Sequence, residues 1–301
     1  MNRDSIRLCI IPTYQYTEND ICYMFNNKRN DKQILDSVWL DNALISLKCN
    51  YNILQTEIFI PDITVISDFY FTIIFHLIKS ICKKVLLTTN LIQFNKNIIN
   101  CCDIINVNLN FNEFLLHKDN VYNNIKSISN KVINVKSFDI SCYKNQEKII
   151  YDLNMLSIKS WEIVPYHAYV NSKLKTTDYS HFESLIKNYL FLVKKMNFAF
   201  QNKLQLDEVL CIDNYNVQTV YITPYNNFGI LDFTKNNEFQ IFEYDSVEKL
   251  QKKLTEMEKS RDIFCHYCDS KLRCLANRYQ NLNYEGKSCS GFKDLIEFYN
   301  K

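Results

Sequence analysis

The sequence predicts an α/β protein in two parts: an open, partial (β/α)6 barrel over residues 1–204, then a small domain over residues 205–301 that joins a short antiparallel meander to a four-cysteine metal site. Three observations carry this. From residue 6 to about residue 200, β-rich runs alternate with segments of helical periodicity, and six such units demand parallel strands with right-handed crossovers. After residue 205 the runs become short and closely spaced, joined by Asn-rich links. Near the end stands CHYCDSKLRCLANRYQNLNYEGKSC (Cys265–Cys289), with cysteines spaced C-x2-C-x5-C-x14-C.

The first strand is read at SIRLCIIPT (Ser5–Thr13). A helix is expected from Asp31 to about Lys48, with Ile34, Leu35, Val38, Ala43, Leu44 and Leu47 as its buried stripe. ILQTEIFI (Ile53–Ile60) is the second strand, and Ser67 can cap a helix over Asp68–Lys83. Strand three is KVLLTTN (Lys84–Asn90) and strand four DIINVNLNF (Asp103–Phe111), with a short helix near Asn95–Asn100 between them. A helix at Asn120–Asn130 precedes strand five, Val132–Asp139; a helix at Gln146–Leu156 precedes strand six, Ser160–Tyr166; a long helix over Ser180–Asn202 closes the first part. The meander strands are Gln218–Pro224, Phe228–Phe233 and Glu238–Phe242, followed by helices at Val247–Lys259 and Phe292–Tyr299.

Composition narrows the partners. A formal net charge of +2 without a long basic run argues against nucleic acid. The most apolar run, FYFTIIFHLI (Phe69–Ile78), is about half a membrane span and reads as a core helix. MNRDSIRLCII lacks the extended apolar stretch of a signal peptide, so a cytoplasmic protein with no membrane partner is expected.

Eight of the twelve cysteines (Cys9, Cys22, Cys49, Cys82, Cys101, Cys102, Cys142, Cys211) are scattered among apolar neighbours and are expected to pack in the core. The other four, Cys265, Cys268, Cys274 and Cys289, are clustered, which in a reducing compartment means metal. Four thiolates suit Zn2+ or a [4Fe-4S] cluster. Structural zinc usually takes two short knuckles, and only one half of this pattern fits. An iron–sulfur cube tolerates one short pair plus distant ligands, so the cluster is favoured, with zinc as the alternative.

That spacing resembles the C-terminal half of the SPASM domain found behind radical SAM peptide-maturation enzymes. The resemblance implies that Cys265, Cys268, Cys274 and Cys289 ligate the second auxiliary [4Fe-4S] cluster. A cysteine that would serve the first auxiliary cluster is replaced by Arg278, and only Cys211 lies near the usual upstream pair, so one cluster is expected. Further forward, IIPTYQYTENDICYMFNN (Ile10–Asn27) resembles the first strand and loop of a radical SAM core, where C-x3-C-x2-C carries the catalytic cluster. Those places are Tyr16, Asp20 and Tyr23 here, with Cys22 one residue out of register. The GGE-like turn expected after strand two is FIPDITVISD (Phe59–Asp68), without glycine, whereas LLTTN (Leu86–Asn90), NVNLN (Asn106–Asn110) and SWEIVPYH (Ser160–His167) resemble strand motifs of that core. The combination resembles the pseudo-radical-SAM/SPASM proteins of Bacteroidales-type peptide natural-product systems and, less closely, SPASM maturases that work beside an ATP-grasp ligase.

The resemblance implies a pseudoenzyme with no catalytic residues and no S-adenosylmethionine, a non-catalytic, peptide-binding or electron-relay partner in maturing a ribosomally made peptide. Its partners would be the precursor peptide and a catalytic radical SAM or ATP-grasp maturase. About a dozen residues precede the first loop, so no leader-binding domain is expected ahead of it. An active peptide maturase and a zinc-stapled α/β interaction module are the alternatives. His76, His117 and His181 are expected in ordinary surface or core roles, and Glu18 and Asp20 as solvated loop charges. His167, after the last barrel strand, could touch a bound peptide, and His266 could sit behind the metal ligands, although packing or solvent roles suffice for both.

Overall fold

Ten strands form one open sheet, in the order β10-β9-β8-β1-β2-β3-β4-β5-β6-β7. The structure, a computed structural model, describes residues 4–14, 33–128, 131–138, 151, 154–156, 158–163, 179–192, 199–204, 218–233, 239–260 and 293–299. The strands are β1 (Ser5–Ile10), β2 (Asn52–Phe59), β3 (Val85–Thr89), β4 (Ile104–Asn110), β5 (Val132–Phe138), β6 (Ser160–Ile163), β7 (Ala199–Phe200), β8 (Gln218–Thr223), β9 (Asn227–Phe233) and β10 (Phe239–Tyr244). The helices are α1 (Ser37–Asn50), α2 (Asp68–Lys79), α3 (Lys96–Cys101), α4 (Phe111–Ser127), α5 (Tyr179–Leu192), α6 (Val247–Ser260) and α7 (Lys293–Tyr299).

From β1 to β7 the strands are parallel and lie in chain order. Each crossover therefore steps the same way, and crossovers of one hand place their helices on one face. The core shows this directly. One apolar cluster joins Leu8, Ile58, Leu87, Ile105, Val135 and Trp161 of the strands to Leu44, Ile74, Val121, Ile186, Leu250 and Leu295 of the helices. The sheet does not close into a barrel. The antiparallel meander extends it instead, because β8 pairs in parallel with β1 from Ile6↔Gln218 to Ile10↔Ile222. Residues on either side of position 205 are thus hydrogen-bonded into one sheet.

Local chemistry sets the boundaries. The Asp36 side chain caps α1 by accepting from the Trp39 N–H, so the helix begins six residues later than Asp31. Ser67 caps α2 as read, accepting from the Tyr70 N–H, and Asn95 caps α3. Helix α4 starts at Phe111, earlier than expected, and is interrupted at His117 (φ −117°, ψ 15°). Of the long helix expected over Ser180–Asn202, Tyr179–Leu192 is described as helix, and Ala199–Phe200 instead pairs with β6. Phe200 packs beside Trp161 and Tyr189, at ring-centroid distances of 5.4 and 6.4 Å, and that burial outweighs helical propensity. The helix expected at Gln146–Leu156 lies mostly outside the described residues. No described helix is long and apolar enough to cross a membrane, and Phe71, Ile74 and Ile78 of α2 lie in the core.

Candidate functional site: the inner face and mouth of the sheet

The face of the sheet opposite the helices is polar along β3–β6. Strand register places Thr88, Asn106, Asn134 and Ser160 side by side, continuing from Phe59 on β2. Thr88, Asn106 and Ser160 are buried. Ser160 Oγ donates to Asn134 Oδ1, and Asn134 Nδ2 donates to Asn106 Oδ1 at 3.0 Å. At the other end of the row Thr88 Oγ1 donates to Glu57 Oε1. This run of amides and hydroxyls, ending on one carboxylate, bonds within itself. It lacks the nucleophile–base pair that covalent catalysis needs.

The C-terminal ends of the strands form the mouth, the end at which parallel α/β sheets bind ligands. There, the turn after β2 is satisfied from within. The Asp62 carboxylate is buried, and its Oδ1 accepts from the Thr64 N–H at 2.8 Å and the Thr64 hydroxyl at 2.7 Å. Pro61 has no N–H, and its carbonyl accepts from the Asn90 N–H at 3.0 Å and the Thr89 hydroxyl at 2.9 Å. Ile60 and Ile63 fill the core on either side. A glycine turn would leave room and free N–H groups for a cofactor's amino-acid end. This turn has no glycine, and its Asp62 carboxylate and Pro61 carbonyl are already bonded to Thr64, Thr89 and Asn90, so it differs from a GGE motif.

Two further features stiffen the mouth. Asp68, at the start of α2, accepts from Asn95 Nδ2 at 2.6 Å and Asn97 Nδ2 at 2.5 Å, tying the β2 and β3 exits together. Those bonds, from Asn97 and Asn95, hold its carboxyl below the usual carboxylate range. Leu91, just past β3, has a left-handed backbone (φ 56°) and is fully buried, with its carbonyl accepting from Asn124 Nδ2 at 2.8 Å. A branched residue there is strained, and burial plus that bond hold it.

The chain between Tyr14 and Gln33 leaves and re-enters through a clasped neck. Thr13 and Ile34 form an antiparallel bridge, and the Leu35 N–H donates to the Pro12 carbonyl at 2.9 Å. Tyr70 of α2 donates its hydroxyl to the Leu35 carbonyl. The meander grips both sides: Tyr14 donates to Glu243 Oε1 at 3.3 Å, and the Asp36 N–H donates to Asn226 Oδ1 at 3.0 Å.

Tyr16, Glu18, Asp20, Cys22 and Tyr23 lie outside the described residues, as do Cys142, His167, Cys211, His266, Arg278 and the four tail cysteines Cys265, Cys268, Cys274 and Cys289. Among the described residues, no group of three His, Cys, Asp or Glu side chains is placed to hold a metal. The chemistry of the tail donor set, four thiolates, fits zinc or an iron–sulfur cube. Of the scattered cysteines, Cys9, Cys82 and Cys102 are buried as expected, and Cys101 is half-buried. Cys49 corrects the expectation: it is exposed, because it falls on the outer side of the last turn of α1. Burial pushes the Cys102 thiol well above its ordinary value. His76 is exposed on α2 beside Phe75, and His117 sits at the α4 interruption.

Sequence reading passed over the inner polar row and the neck. The row had a signal, a two-residue alternation of polar and apolar side chains in NVNLN and INVK. The neck had none, since its partners lie 190 and 229 positions apart.

Neither a protein-family model nor a curated protein sequence matches this chain significantly. Among solved structures it is similar to Streptococcus suis SuiB bound to S-adenosylmethionine, with a TM-score of 0.61 and 13% identity over 90% of this chain and 72% of that one. A second SuiB structure gives 0.52 and 13% over 75% and 60%. At such identity the likeness speaks for the fold alone. What it establishes is that the chain has a radical SAM-like α/β fold, built on a mixed but mostly parallel open sheet.

Proposed function

We propose that this chain is a radical SAM-like protein that has lost the catalytic cluster of that fold and serves as a non-catalytic partner in maturing a ribosomally made peptide. The supporting observation is a contrast. The sheet is similar along 90% of the chain to a protein solved with S-adenosylmethionine, yet the turn after β2 is closed on itself by Asp62, Thr64 and Pro61. The sequence adds Tyr16, Asp20 and Tyr23 at the three places where cluster ligands would stand. In this reading the chain binds the precursor peptide or a catalytic radical SAM or ATP-grasp maturase at the mouth of the sheet, where the C-terminal strand ends lie. Residues 205–301 act as a SPASM-like domain, with Cys265, Cys268, Cys274 and Cys289 holding one [4Fe-4S] cluster. Such a cluster, when bound, supplies a cross-link for the tail and a site for one-electron relay. With four thiolates on four irons, no corner is left open to a substrate.

The test uses protein purified without oxygen. Expected are iron and sulfide near four each per chain (about, for one cube) with a broad visible band, lost in Cys268→Ser. Stoichiometric zinc instead would establish the zinc-stapled interaction module. Incubation with S-adenosylmethionine and dithionite is expected to release no 5′-deoxyadenosine; turnover would sink the pseudoenzyme reading. The buried polar row favours one rival, an active maturase using another cofactor. Modification of a precursor peptide by this protein alone would establish that rival.

A further inference from the structure

We draw no further inference here: the strongest candidate, the row of Thr88, Asn106, Asn134 and Ser160 across the inner face of the sheet, belongs to the site already described and bonds within itself and to Glu57, and nothing in the structure shows what would bind it.

Discussion

Gly229 on β9 shows how tightly the meander is built. A Cβ there would clash with Ile241 Cγ2 and press on Tyr221 Cβ at 3.3 Å, a tight contact. Gly229→Ala is expected to destabilise by about 1–3 kcal/mol in thermal or urea unfolding. The cause is checkable, because Ile241→Ala should cost less in the Gly229→Ala background than alone. Thiol chemistry sorts the same way. Cys49 is exposed, while Cys102 is buried and its thiol is held protonated, so alkylation at pH 8 followed by peptide mass mapping should label Cys49 and spare Cys102. Asp103 tests acid behaviour. Partial burial opposes its charge, but the Lys79 ammonium at 2.7 Å and the Val85 N–H at 2.8 Å outweigh that and hold its carboxyl below the ordinary value. A depressed carboxylate adds stability above its unfolded value of about 3.9 and loses it as pH falls through the lower folded value. Asp103→Asn should therefore flatten the stability curve below about pH 4, by under about 1 kcal/mol because the pair is partly exposed.

Elements were legible where one local device defines them. Ser67 before an apolar stripe announced α2, and Ser67→Ala should cost about 0.5–2 kcal/mol in chemical denaturation. Asp36→Ala should cost α1 a similar amount (about 1 kcal/mol), although its start was misread, because Ile34 and Leu35 continue the helical spacing while bound into the neck. Strands β3 to β6 were found by their β-rich runs, and the polar row across them comes from register, which no single strand contains. Within it, Asn134→Ala should remove the partner of both Asn106 and Ser160, at a cost of about 1–3 kcal/mol. Strand β7 was invisible, since two residues beside Trp161 carry no periodicity of their own.

At the scale of the molecule, the ladder between β1 and β8 joins the parts on either side of residue 205. A chain cut after Leu204 would bare the β1 edge along Ile6–Ile10, and should aggregate rather than unfold cooperatively in size-exclusion and urea experiments. The neck adds a second tie, through Tyr14 to Glu243 and Asp36 to Asn226. Together they place the mouth of the sheet and the meander in one hydrogen-bonded unit.

The alternation of β and helical periods, the α2 cap and the cysteine spacing are properties of contiguous residues, and the chain alone determined most of the succession of described elements, β7 excepted. Which strands became neighbours of β1, which side of α1 met the core, and how the turn after β2 closed depended on residues far apart in the chain. Only the folded sheet could decide those, because hydrogen-bond register and burial are settled between elements rather than within them.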